Sequence, residues 1–477
     1  MRQTRLLRHF VIAAGVGASL LFIAIGLSFR LQMFGDGSIF SYAVAAQRAW
    51  DFHWHNISGR LFSYLYAYVP AEFFVALTKN ATGGIFVYGF LHFAAPLIGL
   101  GATWIADRTE SRIIFLYACL STACLCPLIF GFPTEMWMAH AVFWPALALC
   151  LSAPASALGT AALFLALIAL VLTHEGGIVL AGAILFALFL RGWRGARFLR
   201  ALGGFVAAIL IWLIVRIAYP ADDYISSVLT AAAFRFIDIW NLEQRAFLVL
   251  LAALFGYASA IFLLRRISPA RTHLYAAMLC AVMLVIYWTW FDRWLLTDAR
   301  YELRTVLLIV TPVLAIVAAV HAMREEEWRK SPFPFLARLA STMEKRLDAR
   351  IILGAIFLAL LVHVVETAKF VSAWTGYKEA VRMLASGTES DPALGDPAFV
   401  SSKRIPADLN RLAWNSTTPY LSVLVAPGLA PARLVIDPDT GYFWLSCETA
   451  KRSEQTSIAL PLRARELIQR YSCLHRP

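Results

Sequence analysis

Long apolar segments alternate with short polar ones through most of this chain. A helix of roughly 17 to 20 apolar residues can cross a bilayer, and segments of about this length predict eleven spans. These predicted spans lie at residues 10–29, 84–106, 113–131, 137–153, 157–173, 177–191, 201–219, 247–264, 274–290, 305–323 and 351–371. The pattern therefore predicts a multi-pass α-helical membrane protein.

The apolar stretch at 157–192 is too long for a single span, and polar residues and glycines at 173–177 interrupt its centre. Such an interruption is typical of a turn. We therefore expect two short helices, with His174 and Glu175 in the turn that joins them.

Two segments outside the predicted spans are longer than a simple connection. Residues 30–83 are rich in aromatic side chains, which favour a membrane interface, so we expect helices that lie flat on the outer leaflet. The tail carries Pro and Gly punctuation between short apolar runs. Strands are predicted in it at 420–425, 433–436 and 442–445, and a helix at 462–471. The tail is therefore expected to form a small α/β domain.

The composition agrees with a membrane location. Hydrophobic residues make up 60% of the 477 residues and charged residues 15%, and the mean hydropathy is +0.67, which excludes an ordinary soluble protein. The net charge of +12 is spread over short loops without interleaved aromatics, which argues against nucleic-acid binding. We expect a transmembrane catalytic domain at 1–371, which includes a charged cytoplasmic linker at 324–350, and a periplasmic domain at 372–477.

The orientation follows from Lys and Arg, which are more frequent in cytoplasmic loops. With the N terminus inside, nineteen such residues lie in inside segments and nine in outside segments before the tail. An odd number of spans then places the C terminus in the periplasm of a bacterial inner membrane. Cys447 and Cys473 both lie in this tail, and the sequence leaves open whether they form a disulfide.

Ionisable residues gather at the outer ends of the predicted spans. Asp36 follows the first span between two glycines and is a candidate general base; the alternative is a turn aspartate. Glu135 comes just before the fourth span and is a second candidate catalytic carboxylate, or else a charge that stabilises a helix start.

His174 and Glu175 are further catalytic candidates, because a turn between membrane helices seldom needs both an imidazole and a carboxylate. They could position a hydroxyl or a phosphate. A divalent metal is not supported, because two adjacent ligand types lack a third fixed partner. No cofactor is expected, since the chain has no phosphate loop and no dinucleotide fingerprint.

Arg300, Tyr301 and Arg304 precede or open the tenth span. Two arginines four residues apart share one helical face, and guanidinium groups match phosphate oxygens with paired hydrogen bonds. We expect these three residues, together with Arg60 in the first outside segment, to bind substrate. The alternative is that the arginines of the tenth span anchor the helix at the interface.

These features together resemble the GT-C superfamily of integral-membrane glycosyltransferases. The resemblance lies in the many-span body, the acidic residue soon after the first span, the carboxylates and histidine on outside turns, the basic residues near the outer mouth, and the outside C-terminal domain. The chain departs from better-known branches at Asp36, where Gly37 follows in place of a second acidic residue.

The resemblance implies sugar transfer on the periplasmic face, from a polyprenyl-phosphate-linked donor to a cell-envelope glycolipid or glycan, with the loop carboxylate as base. A noncatalytic scaffold would explain the interfacial aromatics and the tail, but it gives no role to Arg300 and Arg304 together with His174 and Glu175. Two alternatives remain. One is a lipid-linked glycan ligase or polymerase, which also binds lipid diphosphates through outer arginines. The other is a lipid or polysaccharide transporter without catalysis. A transporter would place charged residues deep within its spans. The predicted spans here are nearly free of charge, with Arg216 as the main exception, which favours the enzyme over the transporter.

Overall fold

Helices form nearly all of the regular structure in the computed structural model. It describes residues 2–51, 57–125, 135–219, 245–265, 271–292, 304–323, 333, 335, 349–387, 399–414 and 417–437. The helices are α1 Arg2–Ser28, α2 Asp36–Ala45, α3 Leu61–Thr78, α4 Ala81–Ala106, α5 Ile113–Leu125, α6 Glu135–Ser152, α7 Ala157–Val171, α8 Gly176–Gly192, α9 Ala196–Ala218, α10 Arg245–Leu264, α11 Thr272–Phe291, α12 Arg304–His321, α13 Ala349–Ser386, α14 Ala407–Asn410 and α15 Thr418–Val425.

Each of the eleven predicted spans overlaps one of these helices. Six helices in the described part of the chain are long and apolar enough to cross a membrane, namely α1, α3, α4, α9, α11 and α13. Five others, α5, α7, α8, α10 and α12, are apolar but shorter. The protein is therefore a helical membrane protein by composition and helix length, while the count of eleven spans, the orientation and the inner-membrane location stay predictions.

The polar interruption at 173–177 forms a turn, as predicted. Helix α7 ends at Val171 and α8 begins at Gly176. At the start of α7 the side chain of Ser156 accepts a hydrogen bond from the Gly159 N–H at 3.2 Å, which caps the helix. Helix α8 packs against α12 and α6, so the turn lies beside the start of α6.

The first predicted outside segment contains α2 and α3. Helix α3 includes a π-helical stretch at Tyr64–Tyr68 and packs against α4, which follows it after a two-residue link. Because α3 is itself long and apolar enough to cross a membrane, the expectation that these helices lie flat on the membrane is not confirmed.

The tail differs from its prediction in one described element. The run at 420–425 was expected to be a strand, and this is wrong, because it lies in α15. Pro419 in the first turn suits a helix start, and the run is buried from Tyr420 to Leu424, so its pattern does not distinguish a helix from a strand. The runs at 442–445 and 462–471 lie outside the described residues.

Two short strands are present among the described residues of the tail. The run at 433–436 contains β2, Leu434–Ile436, as expected, and β2 pairs in parallel with β1, Phe399–Ser401, which was not predicted. Helix α13 continues to Ser386, past the predicted domain boundary at 371. Whether the tail is a separate periplasmic domain stays a prediction.

The described part of the tail packs on α2. The Ser38 hydroxyl donates to the Thr417 carbonyl oxygen at 3.2 Å, and the rings of Tyr42 and Tyr420 meet edge to face at 5.3 Å between centroids. One continuous apolar core joins α2, the start of α4, the C-terminal part of α13 and both strands. The tail therefore fixes the helix that begins at Asp36.

Candidate functional site

The Arg60 guanidinium lies between two carboxylates. Its Nη1 is 3.2 Å from Glu135 Oε2, and its Nη2 and Nε are 3.2 and 3.3 Å from Glu175 Oε2. These three side chains are at most 15% exposed. Charges removed from water to this extent are costly unless they are paired, so the arrangement holds the three residues together.

Two hydrogen bonds join the start of α3 to the turn after α7. The Phe62 N–H donates to the Leu172 carbonyl oxygen at 3.0 Å, and the Ser63 hydroxyl donates to the Thr173 carbonyl oxygen at 2.9 Å. Since Arg60 directly precedes α3, these bonds set its distance from the turn that carries Glu175. These two hydrogen bonds between helix ends thus position Arg60 for its salt bridge to Glu175.

The turn itself orients His174. Its Nδ1 accepts a hydrogen bond from the Gly176 N–H at 2.9 Å, which requires a lone pair on Nδ1 and places the ring proton on Nε2. The contact of 3.6 Å between His174 Nδ1 and Glu175 Oε2 is then not an ion pair. His174 can therefore donate a hydrogen bond only through Nε2.

Arg216 is a further member of this cluster that the sequence analysis did not assign to the site. It lies in the last turn of α9, with Nη2 3.8 Å from Glu175 Oε1 and its guanidinium 5.1 Å from the centre of the Trp212 ring. A charged residue inside an otherwise apolar helix is by default a functional candidate, and this signal was available in the sequence. We refer to Arg60, Glu135, His174, Glu175 and Arg216 as the ion cluster.

The two carboxylates of the ion cluster stay ionised. Burial by itself raises the pKa of the Glu175 carboxyl, but Arg60, and after it His174, a backbone hydrogen bond and Arg216, outweigh burial and lower the pKa to about 2. Burial and the charge of Arg60 oppose each other in the same way at Glu135, and its pKa is lowered. Such carboxylates are weak proton acceptors, and both are paired with Arg60. Their catalytic role stays a prediction.

Asp36 is separate from the ion cluster but close to it. It is the first residue of α2 and partly buried. The Tyr88 hydroxyl lies within electrostatic range of both Asp36 and Glu135, so the two carboxylates lie near the same tyrosine. The assignment of Asp36 as a general base stays a prediction.

One of the three remaining predicted site residues lies in the described part of the chain. Arg300 and Tyr301 are outside the described residues, and Arg304 is the first residue of α12. Four residues later, Leu308 lies near Gly176, where an added Cβ would be 3.2 Å from Leu308 Cδ2. The N-terminal end of α12 is thus beside the turn that carries His174 and Glu175.

In the part of the chain that the structure describes, no group of three or more His, Cys, Asp or Glu residues is placed to hold a metal ion. Comparison with family models, with curated proteins and with solved structures finds no match to this chain. The function must therefore be inferred from the site itself.

Proposed function

We propose that this protein is an integral-membrane glycosyltransferase, similar to the GT-C superfamily, that moves a sugar from a polyprenyl-phosphate donor to a cell-envelope acceptor. The observation that carries the proposal is the convergence of Arg60, Glu135, His174, Glu175 and Arg216 at adjoining helix ends, with Asp36 nearby. These residues come from four helix ends far apart in the sequence.

The buried arginines supply the anion-binding half of the site. Arg60 and Arg216 are held by Glu175, and guanidinium groups form strong hydrogen bonds with phosphate oxygens. Arg304 would add charge from the first turn of α12, and Arg300, which lies outside the described residues, is expected to do the same. Charge fixed in a site of low dielectric constant stabilises a leaving phosphate more than it would in water.

Asp36 supplies the proton-accepting half. In the proposed reaction the acceptor hydroxyl gives its proton to Asp36, and its oxygen forms a bond to the anomeric carbon of the sugar. The bond between that carbon and the phosphate oxygen breaks, and the polyprenyl phosphate leaves with the electron pair. The donor's isoprenoid tail lies along the apolar helices, which fixes both reactants in one orientation.

The test is transfer by the purified protein in lipid nanodiscs. Labelled polyprenyl-phosphate sugars, and separately glycans linked to lipid diphosphates, are incubated with envelope glycolipids, and labelled products are separated. Transfer of a glycan from the lipid diphosphate would identify a ligase or polymerase. Translocation of labelled lipid without any product would identify a transporter.

Asp36→Asn is the decisive variant. Loss of a general base lowers the rate by roughly 10²- to 10⁴-fold, so transfer should fall by about that amount while expression stays normal. The matched control is Asp408→Asn, because Asp408 is also an aspartate in the first turn of a helix but is exposed in the tail. Full activity of Asp36→Asn would reject Asp36 as the base, and absence of transfer by the unmodified protein with every donor would reject the proposal.

A further inference from the structure

Four buried polar side chains lie beside the ion cluster. Tyr88 and His92 are one turn apart on α4, with ring centroids 4.7 Å apart, and the Tyr68 ring is 5.0 Å from Tyr88 and 6.2 Å from His92. Gln32 reaches the same part of α4 over Gly89, where an added Cβ would lie 2.8 Å from Gln32 Cδ. We call Gln32, Tyr68, Tyr88 and His92 the neutral polar cluster.

The neutral polar cluster is buried without adequate hydrogen bonding. All four residues are at most 2% exposed, yet Gln32 Oε1 and both ring nitrogens of His92 have no hydrogen-bond partner among the described residues. The hydroxyls of Tyr68 and Tyr88 lie close enough to interact with each other, but neither makes a hydrogen bond of good geometry to any described residue. Since an unpaired buried polar group destabilises a protein, these atoms require a partner.

The location of the neutral polar cluster links it to the reacting groups. The charge of Glu135 acts on Tyr68, Tyr88 and His92, and the charge of Asp36 acts on Tyr88. Tyr68 is also the last residue of the π-helical stretch in α3, and single π-helical turns are frequent at functional sites. The cluster thus lies near both the proposed base and Arg60.

We propose that the neutral polar cluster is the subsite that binds the sugar ring of the donor, an inference that rests on the proposed function. A sugar ring offers both hydroxyl donors and acceptors, which match an imidazole, two phenols and an amide oxygen. The cluster carries no fixed charge, which suits an uncharged sugar, whereas the phosphate is bound by Arg60 and Arg216. In this position the anomeric carbon lies between Asp36 and the leaving phosphate.

The test separates ligand binding from a structural role by measuring both the melting temperature and the affinity. Tyr88→Phe and Tyr68→Phe remove only a hydroxyl, so each variant should melt at or above the wild-type temperature if that hydroxyl has no partner in the empty protein. Two probes are used in nanodiscs: polyprenyl phosphate and the same lipid carrying a sugar. We expect each variant to bind the sugar lipid at least tenfold more weakly and the lipid without sugar unchanged.

The matched control is Tyr377→Phe. Tyr377 is also buried, but its hydroxyl is 3.2 Å from the Thr418 hydroxyl in a hydrogen bond. This variant should melt at a lower temperature and keep the wild-type preference for the sugar lipid. The subsite would be overturned if Tyr88→Phe and Tyr68→Phe melt at a lower temperature, as the control does, and bind the sugar lipid as tightly as the wild type. That result would show that buried water forms hydrogen bonds with the two hydroxyls.

The outcomes also separate the two proposals. A wild-type protein that binds neither lipid overturns the proposed function together with the subsite. A wild-type protein that transfers sugar, while both phenylalanine variants bind and transfer like the wild type, overturns the subsite alone. Weakened sugar-lipid binding in the variants at an undiminished melting temperature supports both.

Discussion

Replacement of Arg60 by methionine is the most direct test of the ion cluster. Methionine keeps much of the side-chain length but leaves Glu135 and Glu175 without their nearest positive partner. The magnitude can be worked from Glu175, whose pKa falls from its ordinary value of 4.5 to about 2. At about 1.4 kcal/mol for each tenfold change in acidity, this corresponds to roughly 3 kcal/mol. That figure is the net effect of burial and of all the neighbours of Glu175. The cost of removing Arg60 alone is therefore taken from buried ion pairs in general, where loss of one partner costs about 3–5 kcal/mol.

The stability lost in Arg60→Met should depend on pH, because the ionisation of Glu175 does. A carboxyl whose pKa is lowered in the folded protein stabilises the fold above pH 4.5, and this contribution is lost as the pH falls from about 4.5 to about 2. In Arg60→Met the raising effect of burial is no longer balanced by Arg60, so the pKa of Glu175 rises. We therefore expect Arg60→Met to be less stable than wild type by about 3–5 kcal/mol at pH 7 and by clearly less at pH 4, where the buried carboxyls can protonate.

The assay is equilibrium unfolding in mixed micelles at both pH values. Glu175→Gln in the Arg60→Met background should recover part of the lost stability, because it removes the unpaired charge. Arg382→Met is the control, since Arg382 pairs with Glu379 on the surface of α13, where both side chains are 49% exposed, and exposed pairs contribute little. A loss that is equal at pH 7 and pH 4, or that Glu175→Gln does not reduce, would refute the reasoning.

Two further predictions concern how the turn between α7 and α8 is built. Gly177→Ala should destabilise the protein and reduce transfer, because the added Cβ would lie 2.0 Å from the Leu170 carbonyl oxygen. Gly182→Ala is the control: its added Cβ has nothing within 4 Å, so it should stabilise α8 by roughly 0.5–1 kcal/mol. Equal melting temperatures of the two variants would contradict this account. Ser63→Ala removes the hydrogen bond to the Thr173 carbonyl oxygen and should cost about 1 kcal/mol in unfolding free energy, and an unchanged stability would show that this bond does not hold the turn.

The positions of the helices could be predicted from the sequence, because the main signal is local. Each predicted span overlaps a helix, and the polar interruption at 173–177 is a turn. A backbone in lipid must satisfy its own hydrogen bonds, which leaves a helix as the only structure for an isolated apolar segment. The run at 420–425 was predicted wrongly, because in the tail the same apolar composition fits either a buried helix or a buried strand.

Part of the site could also be predicted. Ionisable residues at the ends of apolar segments are costly to retain, and this rule selected Glu135, His174 and Glu175. Arg60 was expected to bind substrate from the first outside segment, and the structure brings these four residues together. The same rule applied to the last turn of α9 would have added Arg216. Tyr68 and Tyr88 gave no comparable signal, because aromatic residues are common in membrane helices.

The sequence by itself determined where the apolar helices lie and which ionisable residues gather near their ends, since both depend on the chemistry of a short stretch of chain. Only the tertiary structure decided that Arg60 binds Glu135 and Glu175, which are 75 and 115 residues away along the chain, and that the tail packs on the helix that begins at Asp36. Electrostatic interactions in a buried site act over a few ångströms and are set by packing between helices, so spacing along the sequence does not reveal them.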